Sequence, residues 1–244
     1  MVDRREPERL WLLRHGESTG NVADRAAREA GAARLDLDVR DPDVPLTDTG
    51  RSQAQTVGAW LRELEEPPEV VLCSPYARAT ATAELALRAG GLDLVPAPDE
   101  RLRERDLGVL DGFTGRGIRE AMPEEAARRA HLGKFYYRPP GGESWADVAL
   151  RVRSVLSDVR AEHPGGRVLV VSHQAVIMCF RYALERLDEK GVLAIDSDEP
   201  LANCGTTTYA AAEGRLVLRS YNRVSHVAES ATVTAEPDAS ARVV

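Results

Sequence analysis

Short apolar runs alternate with helical patterns along this chain. The runs lie at 10–13 (LWLL), 70–73 (VVLC), 92–95 (LDLV) and 167–171 (RVLVV). Each is too short for a buried helix and reads as a buried strand. Between them, the segment 46–64 offers Thr47 as a helix cap, with Ala54, Val57 and Leu61 on one face. The segment 74–90 begins Ser74-Pro75, a cap followed by proline in the first turn, and stops at Gly90-Gly91. Segment 144–166 puts Val148, Val152, Val155 and Val159 on one stripe, and a further apolar helix follows the fourth strand directly. Strand alternating with helix predicts an α/β domain around a mostly parallel sheet. The stretch 206–222 differs: it reads as two strands around Glu213-Gly214, a hairpin added to that sheet.

A chain of 244 residues with 43% apolar residues can bury a sizeable core. One domain over 1–228 is expected, with lid segments at 22–45 and 113–140 and a disordered, small and polar tail at 229–244. The net charge of −7 argues against nucleic acid as a partner. The apolar runs are far too short to span a membrane, and no signal peptide is visible at the start. Cys73, Cys179 and Cys204 form no CxxC pair, which suits a reducing, cytoplasmic setting. A homodimer is compatible with all of this.

In an open α/β sheet, ligands bind beyond the carboxyl ends of the parallel strands. The first strand ends in Arg14 and His15, the second leads to Arg78 in the first turn of a helix, and the fourth ends in His173. Two imidazoles with two arginines suit a phosphoryl group. Arginine forks match phosphate oxygens, a helix N-terminus adds positive potential, and a neutral imidazole can attack phosphorus. A protonated second imidazole stabilises the charge that develops. A metal is disfavoured beside permanent cations without carboxylate ligands, and no GxxxxGK[ST] loop supports a nucleotide site. No cofactor is expected.

Five motifs occur in order: RHGE (14–17), LTDTGRSQA (46–54), SPYARATATAE (74–84), LRERDLGVLDG (102–112) and VVSHQAV (170–176). Together they resemble the histidine phosphatase superfamily, also called the phosphoglycerate mutase-like fold, over about residues 8–228. The resemblance implies a three-layer α/β/α sandwich and a metal-independent phosphohistidine enzyme. It makes His15 the nucleophile, Arg14, Arg78 and His173 its phosphate pocket, and Glu104 the general acid, with Asn21 and Gln174 touching phosphate or substrate. Mutases of this type carry an ERHYG-like motif and a longer insert. Here ERDLG (104–108) places Asp106 and Leu107 instead, which favours hydrolysis. Segments 122–148 and 172–176 (SHQAV) resemble the bisphosphatase domain acting on fructose 2,6-bisphosphate; Arg129 and Lys134 match that domain's sugar-phosphate contacts approximately, with a one-residue gap between them, and Gln174 matches as well. Gly115 and Trp145 replace expected tyrosines there and Met178 an expected arginine, so Trp145 and Phe135 are expected to line a more apolar pocket. The expected substrate is a small phosphorylated metabolite. Two other readings stand beside it: a cofactor-dependent phosphoglycerate mutase, and a phospho-ligand binding protein with little turnover.

Overall fold

Side chains alternate between the two faces of a strand, and in β1 (Arg9–Arg14) both faces are apolar and buried. Leu10 and Leu12 join one core, Trp11 and Leu13 the other. The computed structural model describes residues 6–228 and 231–235. Its sheet has six strands in the order β3-β2-β4-β1-β5-β6. β2 (Val70–Cys73), β3 (Ala97–Pro98) and β4 (Arg167–Ser172) run parallel with β1, whose direct parallel partner is β4. β5 (Thr206–Ala212) pairs antiparallel with β1 and with β6 (Arg215–Arg223), as expected of the added hairpin.

Helices cover both faces. α1 (Thr19–Glu29) follows β1. α2 (Asp48–Glu63) and α3 (Ala77–Gly90) bury Val57, Leu61, Ala83 and Leu87 against Trp11, Leu13, Leu169 and Val171. Two short helices, α4 (Gly115–Ala121) and α5 (Pro123–Leu132), precede α6 (Trp145–Glu162). The valine stripe of α6 packs with α7 (Gln174–Glu185) and α8 (Glu189–Asp198) on the face holding Leu10, Leu12, Val168 and Val170. α9 (Ser225–Ala228) closes the other side beside α2. The architecture is a three-layer α/β/α sandwich.

Three expectations are corrected. Residues 92–95 form no strand: the chain leaves α3 through left-handed Gly91, Leu92 and Leu94 pack on the α2–α3 core, and Val95 is exposed. The edge strand is instead Ala97–Pro98, kept short because proline cannot donate to a ladder. α3 starts at Ala77 rather than at Ser74-Pro75, since the Ser74 hydroxyl accepts the Tyr76 amide (3.3 Å) and serves the preceding turn. Of the expected disordered tail, 229–230 and 236–244 lie outside the described residues, but 231–235 are held. The Gln53 amide donates to the Thr232 carbonyl (2.7 Å) and to Thr234 Oγ1 (3.0 Å), and the Asn203 amide donates to the Thr234 carbonyl (2.8 Å). The small hydroxylated residues that look like tail supply these contacts.

Candidate active site

The motifs around RHGE are hydrogen-bonded to one another. Thr47 Oγ1 caps α2 by accepting the Gly50 amide (3.0 Å) and donates to Glu17 Oε1 (2.8 Å). Gln53 Oε1 accepts the Glu17 amide (2.8 Å), and Thr82 Oγ1 accepts the Gly16 amide (3.0 Å). Gly50 permits this: a Cβ there would lie 2.0 Å from the Glu17 carbonyl oxygen. LTDTGRSQA and Thr82 of SPYARATATAE are therefore the cradle of the loop that carries His15.

His15 is 4% exposed at the end of β1. Its Nδ1 lies 2.7 Å from the Gly16 carbonyl, which can only accept, so Nδ1 carries the proton and Nε2 the lone pair. His173, the N-cap of α7, is fully buried, with its ring centroid 5.1 Å from that of His15. His173 Nε2 bonds Ser74 Oγ (2.7 Å), while its buried Nδ1 has no hydrogen-bond partner among the described residues. Arg14 Nη1 donates to the Leu201 carbonyl, and Arg78 is held by Asp41, with Nη1 on its carbonyl (2.6 Å) and Nη2 on its carboxylate (3.0 Å).

Burial pushes the pKa of His15 well below 6.5, and the Arg78 and Arg14 guanidinium groups add to it. His173 is pushed down likewise, by burial, then Arg78, then His15. Both imidazoles are neutral in the folded chain where an exposed histidine would be half charged. Below about pH 6.5 the unfolded chain takes up protons that the folded chain refuses, so folding stability falls as pH drops from there towards the depressed folded values. Urea midpoints measured between pH 8 and pH 5 are expected to fall on the acid side of that window; a midpoint flat across it would contradict buried neutral imidazoles.

Arg14, His15, Asn21, Arg78, Glu104 and Gln174 all line one cavity of about 660 Å³ at the carboxyl ends of the parallel strands. His173 does not line it, but its ring stands 5.2 Å from that of Tyr76, which does. Asn21 also has a local task, its Oδ1 accepting the Ser18 amide (3.0 Å) in the capping box of α1. Gln174 Nε2 donates to Asp196 (2.8 Å). The expected lid segments contribute unequally: 22–45 supplies a wall including Leu37, Val39 and Asp41, whereas 113–140 supplies Phe113. The two meet at the Arg34–Phe113 bridge, where the guanidinium lies 4.0 Å from the ring centroid.

Other expected substrate residues are not brought there. Lys134 reaches inward to Asp196 (2.7 Å) over the Trp145 ring, and Arg129 is buried on α5; neither lines the cavity. Trp145 and Phe135 belong to the α6–α7 core rather than to the pocket, because the first residue of α6 points inward. Sequence reasoning missed Asp41 and Asp196. Asp41 sits in a segment without period, and Asp196 looks like any helix acid, so neither carried a signal. Among the described residues no group of three or more His, Cys, Asp or Glu could hold a metal ion, and no helix is long and apolar enough to cross a membrane.

The family described as the histidine phosphatase superfamily (branch 1) matches residues 10–224. The chain belongs to that superfamily and is an enzyme of its class. A 6-phosphofructo-2-kinase/fructose-2,6-bisphosphatase of Caenorhabditis elegans is 32% identical over 196 residues, covering 80% of this chain and 35% of that protein. The chain thus spans about a third of the length of that bifunctional relative. A 2,3-bisphosphoglycerate-dependent phosphoglycerate mutase of Rhizobium johnstonii is 33% identical, covering 77% of this chain and 84% of that protein. Among solved structures, a mycobacterial glucosyl-3-phosphoglycerate phosphatase in complex with VO3 is 29% identical, with a TM-score of 0.68 over 88% of this chain and 98% of that one.

Proposed function

We propose that this enzyme hydrolyses phosphate monoesters of small metabolites through a phosphohistidine on His15, without a metal. The observation that carries the reading is the His15 tautomer: Nδ1–H is spent on the Gly16 carbonyl, leaving the Nε2 lone pair for phosphorus beside two arginines. Nε2 attacks phosphorus, and the bond to the ester oxygen breaks as Glu104 gives that oxygen a proton. Arg14 and Arg78 neutralise the equatorial oxygens, Arg78 exchanging Asp41 for phosphate. The unpartnered Nδ1 of His173 is a buried group awaiting such a partner. The dianionic phosphate opposes the influences that keep His173 neutral in the empty site, so His173 takes up a proton from solvent as the substrate binds. Water then attacks the phosphohistidine, the P–Nε2 bond breaks, and Glu104 takes a proton from that water. A cytoplasmic setting fits three free, buried cysteines.

The mutase reading has the Rhizobium johnstonii relative in its favour. Against it, Asp106 and Leu107 line the cavity where that class carries His and Tyr. The expected result is release of inorganic phosphate from phosphate esters well above conversion of 3-phosphoglycerate to 2-phosphoglycerate, both followed on one preparation with a bisphosphoglycerate primer present. Efficient primer-dependent isomerisation would overturn the hydrolase reading.

A further inference from the structure

Glu104 stands in an irregular stretch between two single 3-10 turns, Glu100–Leu102 and Gly108–Leu110. No helix or strand fixes its carboxylate. The stretch is instead gripped from behind by two residues that do not line the cavity, Arg151 and Glu143. Arg151 rises from α6, whose Val148, Val152 and Val155 are buried in the core, so its base is rigid. Its Nη1 donates to the Arg101 carbonyl and its Nη2 to the Glu104 carbonyl (3.2 Å). The same guanidinium holds Glu143 in a fork, Nε to Oε1 and Nη2 to Oε2, each at 3.0 Å. Glu143 passes the grip on: its Oε2 accepts the Asp106 amide (3.1 Å), its own amide donates to the Asp106 carbonyl (2.8 Å), and its Oε1 accepts Arg103 Nη2 (2.8 Å). Backbone groups of residues 101, 104 and 106 are thus tied to one part-buried ion pair. Gly108 completes the fit, since a Cβ there would lie 2.2 Å from the Pro140 carbonyl oxygen.

We propose that Arg151, working through Glu143, is the positioning residue that holds Glu104 at the leaving oxygen; the proposal rests on Glu104 being the general acid. Arg151 does not line the cavity, and its guanidinium is taken up by the Arg101 and Glu104 carbonyls and Glu143. A lysine replaces it only in part, because one ammonium cannot span two carbonyls and a carboxylate as a planar fork does. Misplacing a catalytic group by about 1 Å costs about 10²-fold in rate, and here that cost falls only on substrates that need the proton.

The test compares Arg151→Met, Arg151→Lys and Glu143→Gln with Glu104→Gln, in single turnovers on an alkyl phosphate and on nitrophenyl phosphate. The expected result for Arg151→Met is alkyl phosphate cleavage slowed by about 10²-fold, nitrophenyl phosphate cleavage close to the parent rate, and KM for both unchanged. Arg151→Lys should show the same contrast in smaller measure. It keeps the positive charge that, after burial, Arg78 and His15, contributes to holding His173 neutral, so its contrast is geometric. The double variant Glu104→Gln/Arg151→Met should be no slower on the alkyl ester than Glu104→Gln alone, because one residue acts through the other. Equal slowing of both substrates, or additive losses in the double variant, would overturn the proposal. If Arg151→Met fails to fold, the Lys and Glu143→Gln variants decide by the same contrast. Absence of any contrast in Glu104→Gln would instead fell the acid assignment, and this inference with it; a contrast in Glu104→Gln alone would fell only this inference.

Discussion

His15→Ala is expected to reduce turnover of any phosphate ester by about 10⁴-fold or more, the scale on which losing a covalent nucleophile acts. The substitution removes the Nε2 lone pair, and nothing nearby replaces it. Ser74 Oγ is engaged with His173 Nε2 at 2.7 Å. The Cys73 thiol is buried and pushed up to about 12, chiefly by that burial, so it supplies no thiolate. His173 Nε2 is likewise engaged, with Ser74 Oγ at 2.7 Å, and its Nδ1 is the atom assigned to the phosphate oxygens. Rapid quenching of the parent enzyme with labelled substrate should trap label on the peptide carrying residue 15, stable in base and lost in acid. The alanine variant should trap none while still binding inorganic phosphate through Arg14 and Arg78. Label recovered on a serine or cysteine peptide, or turnover persisting within tenfold of the parent, would sink the phosphohistidine mechanism.

The parts of this site that the sequence made legible are those fixed by backbone. His15 and His173 each follow a largely apolar strand of the parallel pair β1–β4, and parallel neighbours end on the same side of the sheet, so their meeting follows from parallel topology. Thr47 and the valine stripe of α6 were equally readable, since caps and periodicity are local. What escaped depends on long-range side-chain pairing. Asp41 meets Arg78 across 37 positions, and Gln174 meets Asp196 across 22. No local pattern marks an acid that will find a distant arginine. Lys134, matched to a substrate contact by resemblance, pairs with the buried Asp196, a long-range partner that resemblance did not show. The run 92–95 was misread because alternating leucines can cover a helix pair as well as line a sheet, and only the flanking Gly91 and Pro96 tell the two apart.

Glu104→Gln is the sharper test of mechanism because its effect should depend on the leaving group. A sugar or alkyl alkoxide is a poor leaving group and needs its proton as the P–O bond breaks, a service typically worth about 10²–10⁴-fold. Nitrophenolate departs without help. Glutamine keeps the shape of the side chain and its oxygen can still accept the Arg105 amide, a bond of 2.8 Å in the parent, so the loop need not move. Alkyl phosphate cleavage is therefore expected to slow by about 10²–10⁴-fold and nitrophenyl phosphate cleavage by far less. Steady-state rates can blur this contrast, since Glu104 as a base towards water would also assist breakdown of the phosphohistidine. Measuring phosphoenzyme formation in a single turnover removes that step from the comparison. Equal slowing of both esters in that step would mean that Glu104 orients the phosphate and donates no proton. No slowing of either would move the acid elsewhere, first to Asp106, which lines the same cavity two residues on and whose Oδ1 accepts the Gly108 amide at 2.8 Å.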